Sequence, residues 1–217
     1  EFSDAQMQGL DPQGQAGRSN SEWPSYGGSE QGDRYSTADL ITPDNVGNLV
    51  KAWEYHTGDL PGPNDPGEFT YEVTPLKVGN SLFICTPHSI AIAIDADTGE
   101  ERRRYDPNIN REAGYYQHMT CRGLAYHDGA RYLSAATNGG HSNQPAARCA
   151  RRLFLPTNDA TLVALDVEDG KPCEDFGNGG VVDLKLRLGE GALGVYLPTS
   201  PPVVREKLVI IGGAVTD

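Results

Sequence analysis

Positive charge is scarce in this 217-residue chain: 18 Lys and Arg stand against 30 Asp and Glu, a net charge of −12. Partners built on a phosphate backbone or an anionic membrane surface require clustered cations, so nucleic acid is excluded as a partner class. Long apolar runs are missing as well. No stretch of about 18 or more apolar residues is present to cross a bilayer, and no basic start followed by an apolar segment marks a signal peptide. If the protein is exported, its targeting segment is expected upstream. Cysteine is sparse, and Cys85, Cys121, Cys149 and Cys173 include no pair at the C-x-x-C spacing of a zinc site or a dithiol redox motif. Two disulfides in an oxidising compartment and buried thiols both remain open, with three connectivities if all four pair.

Turn formers, by contrast, are abundant. Gly 26 and Pro 15 make up about 19% of the chain, above the usual roughly 12% and below the roughly 25–30% of low-complexity chains. The composition therefore describes a turn-rich globular chain of one domain or part of one, with a modest apolar share of 37% for its core. Residues 1–22 read as a flexible lead-in, and residues 23–217 as the folded part.

Thr42-Pro43-Asp44 followed by Asn45-Val46-Gly47-Asn48 predicts a cap and one or two short helical turns. Beyond it the pattern changes to short apolar runs, with strands expected over 73–78, 81–85 and 90–94. Val78-Gly79-Asn80 reads as a hairpin turn, and Asp97-Thr98-Gly99 as a turn that requires glycine.

Internal comparison fixes the architecture. LFICTPHSIAIAIDADTGE (82–100) superposes without a gap on LFLPTNDATLVALDVEDGK (153–171), pairing Thr86 with Thr157, Asp95 with Asp166 and Gly99 with Gly170. A third unit begins at PPVVREKLVIIG (201–212), which fits PLKVGNSLFICT (75–86). Apolar strand, polar turn, then a strand ending in apolar-Asp-x-x-x-Gly is the pattern of a β-propeller blade. The spacing exceeds the roughly 40–45 residues of a plain blade, and the surplus is expected between Tyr105 and Arg148, where an insertion on a rigid scaffold carries function. About two and a half units are present, so the fold class is all-β, a partial propeller. Its last unit is expected to expose a pairing edge.

Five stretches now converge. YEVTPLKVGN (71–80), CTPHSIAIAIDADTG (85–99), YDPNINREAGYYQHMTCRG (105–123), RRLFLPTNDATLVALD (151–166) and TSPPVVREKLVIIGGAVTD (199–217) resemble the periplasmic domain of membrane-bound dehydrogenases that use pyrroloquinoline quinone (PQQ), in their glucose and quinate/shikimate branch. The similarity runs from about Trp23 to the last residue. QHMTCRG and EVTPLKVG are its specific parts; the ALDxxxG blade ending is generic.

The resemblance implies an eight-bladed propeller, truncated here, with PQQ and Ca2+ or Mg2+ on its axis. It implies oxidation of a polyol or cyclic alcohol by hydride transfer to PQQ, with electrons passed to ubiquinone. The implied location is the periplasm, attached to the inner membrane by a segment preceding this region, with the remaining blades as partners. By the same resemblance His118 lies beside the cofactor ring and the substrate as the catalytic-site residue. Arg122 binds the cofactor's oxygens, Glu72 hydrogen-bonds a cofactor carboxyl or its pyrrole nitrogen, Thr157 meets its carboxylates, and Asp217 supplies a carboxylate to the metal. The general base is implied to lie in later blades, so this chain alone is expected to be inactive.

From the residues alone, His118 is an ordinary loop histidine, Arg122 a surface ion-pair partner, Glu72 a solvated strand end, Thr157 a turn former and Asp217 a solvated acid. What the residues add is chemical fit, because a cofactor with three carboxylates calls for converging cationic and hydrogen-bonding groups. Asp95, Asp97 and Asp166 are expected to brace blade turns.

Two departures from the family pattern stand out. Arg103 occupies a position where a tryptophan commonly docks one blade on the next, which predicts a weaker contact there, while Trp53 keeps a docking-type aromatic. His56 stands where glucose-oxidising relatives carry Arg, which speaks against glucose. Two other classes compete: an outer-membrane assembly scaffold shares the blade repeat but has no use for QHMTCRG, and a lectin propeller would repeat aromatic platforms that here, as Tyr115 and Tyr116, occur once.

Overall fold

A computed structural model describes residues 22–29, 32–65, 68–111, 119–129, 147–186, 196–198, 200–205 and 207–215. The expected lead-in falls almost entirely outside them, as do His118 and Asp217.

Two four-stranded antiparallel meanders make up the core. The first runs β1 (Leu76–Val78), β2 (Ser81–Cys85), β3 (Ala91–Asp95), β4 (Glu101–Tyr105); the second runs β5 (Ala125–Asp128), β6 (Arg151–Pro156), β7 (Thr161–Asp166), β8 (Val181–Asp183). A third unit opens with the hairpin β10 (Val203–Arg205) and β11 (Leu208–Ile210), while β9 (Tyr196–Leu197) pairs with β12 (Ala214–Val215).

The registers repeat along with the sequence. Leu76 stands opposite Phe83 and Ala125 opposite Phe154; Phe83 stands opposite Ala93 and Phe154 opposite Ala164. Thr86 and Thr157 close equivalent turns, each accepting from the N–H four residues on (Ile90 at 3.2 Å, Thr161 at 3.0 Å). Asp95 accepts from the N–H groups of Asp97 and Thr98, as Asp166 does from Glu168 and Asp169. Both acids therefore brace turns, as expected.

Side-chain alternation places a core on each face of each sheet. Phe83, Cys85, Ala91 and Ala93 pack against Leu153, Leu155, Val163 and Leu165 of the second sheet. The opposite face of the first sheet, Ile84, Ile92 and Ile94, is covered by Trp53 and Tyr55. The outer face of the second sheet, with Phe154, Leu162 and Ala164, packs on Val204 and Val209 of the third unit. Sheets stacked face to face in chain order are the blade arrangement of a propeller. On β10 and β11 the side chains of Val203, Leu208 and Ile210 are exposed.

Several expectations are corrected by the backbone. The first strand starts at Leu76 rather than Val73, because Pro75 has no N–H to give and the Thr74 N–H goes to the Arg122 carbonyl at 3.0 Å. The third starts at Ala91, because Ile90 spends its backbone groups on the Thr86 turn. The surplus between Tyr105 and Arg148 is not one insertion: it contains β5, so the additional chain divides into a link between blades and a connection from β5 to β6. Among the described residues one 3-10 turn forms, Val46–Asn48, preceded by Asn45 rather than by the Thr42-Pro43-Asp44 cap.

At Arg103 the docking position is filled without the tryptophan. A Cβ on Gly170 would lie 3.3 Å from Arg103 Cδ, and Arg103 Nη1 donates to the Val167 carbonyl at 3.2 Å. Trp53 covers Gly99 and donates from Nε1 to the Ala96 carbonyl, also at 3.2 Å. These are the same positions one repeat apart, so the arginine keeps both the cover and the donor.

Candidate functional site

Antiparallel pairing brings the entry to each first strand to the same end of the sheet as the β2–β3 or β6–β7 turn. Residues 72–75, 119–124 and the turns over 86–90 and 157–161 therefore share one end of the structure. Contacts between blades confirm the grouping: the Asn158 N–H donates to Ser89 Oγ at 3.0 Å and Asn158 Nδ2 to the Pro87 carbonyl at 2.5 Å. Gly123 sits where a Cβ would meet Pro201 Cγ at 3.2 Å, so the third unit's entry lies alongside.

Within this cluster the structure pairs Glu72 with Arg122. Arg122 Nε lies 2.9 Å from Glu72 Oε2, and the two side chains are 41% and 38% exposed. The contact is an ion pair rather than an aligned hydrogen bond, since Arg122 Nε is sealed from solvent without an acceptor on its N–H axis. Thr70 Oγ1 donates to Glu72 Oε1 at 3.1 Å. Thr120 Oγ1, two residues before Arg122, is buried with no hydrogen-bond partner. Native interiors rarely leave such groups unmet, so the Thr120 hydroxyl is a donor without a protein acceptor in the segment that carries Arg122.

A disulfide holds this segment in place. Cys85, at the end of β2, is bonded to Cys121, and Cys149 to Cys173, which settles the open cysteine question in favour of two bridges. Thr157 is 1% exposed, and its hydroxyl serves the turn: it accepts from Thr161 N–H and lies 2.5 Å from Asp159 Oδ1. His56 is exposed and pairs with Glu54.

Sequence reasoning missed a second group at the same end. His88 is fully buried between Asp59 and Asp65, with Nδ1 2.5 Å from Asp59 Oδ1 and Nε2 3.0 Å from Asp65 Oδ2. Burial raises the Asp59 carboxyl, but hydrogen bonds from the Thr86 hydroxyl and from the backbone and ring of His88 outweigh it and leave its pKa lowered. The three residues are scattered over 29 positions, and no spacing rule points to them.

Residues 23–217 match the family described as PQQ: Glucose/ethanol/alcohol dehydrogenase, beta-propeller domain. The chain belongs to this family. It is 44% identical over 196 residues to the quinoprotein glucose dehydrogenase of Escherichia coli (strain K12), covering 90% of this chain and 24% of that protein. It is 34% identical over 200 residues to the quinate/shikimate dehydrogenase (quinone) of Acinetobacter baylyi, covering 90% and 24%. Among solved structures, the quinohemoprotein alcohol dehydrogenase of Comamonas testosteroni superposes with a TM-score of 0.65 at 26% identity, covering 89% of this chain and 23% of that one. The chain thus spans about a quarter of the length of the relatives it matches, and its two meanders and third hairpin are blades of the family's propeller.

The chemistry of the cluster fits the family's cofactor. A guanidinium and an orphaned hydroxyl offer donors to carboxylate or quinone oxygens. No such fit appears for a divalent cation among the described residues. The close grouping of metal-type ligands there, Cys149, Cys173 and Asp175, contains two sulfurs already bonded to each other.

Proposed function

We propose that this chain supplies the first blades of a PQQ-dependent dehydrogenase that oxidises a sugar or cyclic polyol, with ubiquinone as electron acceptor, in the bacterial periplasm at the inner membrane. Glu72, His118, Arg122 and Thr157 line the cofactor, His118 doing so on the substrate side, and Asp217 contributes to a Ca2+ or Mg2+ site. When bound, PQQ supplies the two-electron acceptor for the alcohol's hydride. Arg122 keeps a fixed positive charge against the cofactor's oxygens, and Glu72 orients that guanidinium while accepting from Thr70. The general base comes from later blades, so the 217 residues alone are inactive.

The observation that carries this reading is the Glu72–Arg122 pair, with the buried, unpartnered Thr120 hydroxyl two residues away, at the shared end of the blades. Higher identity to glucose than to quinate dehydrogenases favours an aldose over quinate, and His56, which pairs with Glu54 in solvent, leaves that preference standing.

The test is PQQ titration of the full-length protein carrying this sequence, with Ca2+ or Mg2+, for the parent and for Arg122→Ala. Saturable binding weakened at least about tenfold in the variant supports the reading. Absence of binding by the parent, or turnover by the 217-residue chain alone, overturns it.

A further inference from the structure

His88, Asp59 and Asp65 have no part in the chemistry above, yet they put three ionisable groups into a dry interior. Their side chains are 0%, 2% and 3% exposed. Buried carboxylates are retained only when hydrogen bonds or opposite charges offset their loss of hydration. Here His88 supplies most of the hydrogen bonds: its backbone N–H donates to Asp59 Oδ2 at 3.0 Å and its two ring nitrogens face one carboxylate each, while the Thr86 hydroxyl also donates to Asp59 and the Gly62 N–H to Asp65 Oδ2 at 2.5 Å.

The location of this clasp matters more than its strength. Asp65 leads into residues 68–70, which lie along the start of the 119–122 segment. The Glu68 carbonyl accepts from Met119 N–H at 2.8 Å, and Thr70 N–H donates to the Met119 carbonyl at 3.1 Å. Between them Phe69 stands on the His88 ring, with centroids 5.0 Å apart, and packs with Ile109, Met119 and Leu197. The chain continues through Glu72 to Thr74, whose N–H donates to the Arg122 carbonyl. Residues 59–65 and 68–74 therefore form a strap, fastened at His88 and laid against the segment that carries Arg122. Cys85, three residues before His88 at the end of β2, bonds that segment from the other side at Cys121.

We infer that His88, clasped by Asp59 and Asp65, is a positioning residue that sets Glu72 and Arg122 in register for the cofactor. This inference rests on the PQQ reading above. It acts through the strap: releasing the Asp65 end frees residues 68–72 to shift along Met119, which moves Glu72 relative to Arg122 without touching the β-ladders.

The experiment is PQQ titration of the full-length protein with Asp65→Ala, Asp65→Asn and His88→Asn, read as the dissociation constant and, separately, as the thermal unfolding midpoint. Asp65→Ala leaves the three hydrogen bonds into Asp59 in place, so it is expected to fold, with PQQ bound about 10-fold or more weakly, the size of effect typical of supporting groups around a site. Asp65→Asn still offers an oxygen to Nε2 and is expected within about threefold of the parent. His88→Asn is expected to be the weakest binder, and if it does not fold the Asp65 pair still decides. A parent that binds PQQ while Asp65→Ala binds equally well overturns the positioning role alone; a parent that does not bind PQQ overturns both readings.

Discussion

Arg103 lies over Gly170 as Trp53 lies over Gly99, one repeat apart, and the two side chains donate to equivalent carbonyls at the same 3.2 Å. Both glycines are left-handed, with φ of 71° and 75°. What differs is the cover. A Cβ on Gly99 would come within 2.5 Å of the rigid Trp53 ring, whereas one on Gly170 would meet the flexible Arg103 at 3.3 Å. Gly170→Ala is therefore expected to cost about 1–2 kcal/mol for the left-handed backbone alone, and Gly99→Ala a further 1–3 kcal/mol or so of overpacking. Urea unfolding of the two variants checks this; equal losses would contradict the docking role of Trp53.

The two disulfides separate stability from function. Cys85–Cys121 spans 36 residues and Cys149–Cys173 spans 24, so in the chain-entropy account each stabilises by roughly 3–4 kcal/mol. Paired serine substitutions at either bridge should lower the unfolding free energy by similar amounts. Cofactor affinity should fall only for Cys85→Ser with Cys121→Ser, because Cys121 adjoins Arg122 while Cys149–Cys173 packs on the far face with Phe154. A PQQ titration that moves equally for both pairs would count against this placement.

Acid should weaken the blade turns in a defined window. The Arg102 guanidinium, with the N–H groups of Thr98 and Asp97, pulls the Asp95 carboxyl down to about 2. Its unfolded value is near 3.9, so the folded pKa is the lower one. The stability it contributes is present above about pH 4 and lost as pH falls through about 2. Asp95→Asn should therefore be less stable than the parent at neutral pH, and the two unfolding curves should converge below about pH 2. A difference that persists unchanged into acid would show that Arg102 is not its cause.

The parts legible in the sequence were those whose partners are close along the chain. Thr157 and Thr161, or Asp166 and Glu168, sit within one turn, so a repeat of residue types already states a repeat of hydrogen bonds. β4 was harder, since its ERRRY is charged and half-exposed. β5 was missed because it lies inside a span whose length suggested an insertion. Long-range pairs carried no local signal. Glu72 and Arg122 are 50 positions apart and were joined by family resemblance, whereas His88 and its two acids had neither spacing nor motif to join them. The cysteines occupied a middle ground: an even count permitted pairing, but only backbone proximity selects Cys85 with Cys121.

Arg122 supplies the sharpest separation of binding from folding. Its ion pair with Glu72 is about 40% exposed on both sides, and pairs of that kind contribute about 0–1 kcal/mol. Arg122→Lys should therefore leave the unfolding midpoint nearly unchanged. The lysine keeps the charge but loses the planar fork, and its flexible ammonium has no equivalent of the sealed Nε. PQQ affinity should fall about 10-fold or more in Arg122→Lys and further in Arg122→Ala. Glu72→Gln preserves the shape and keeps an oxygen for the Thr70 hydroxyl, so its effect on affinity should be smaller than that of either arginine variant. Affinity restored by lysine to the parent value would mean that charge alone, and not the geometry of the guanidinium, is what this end of the blades presents.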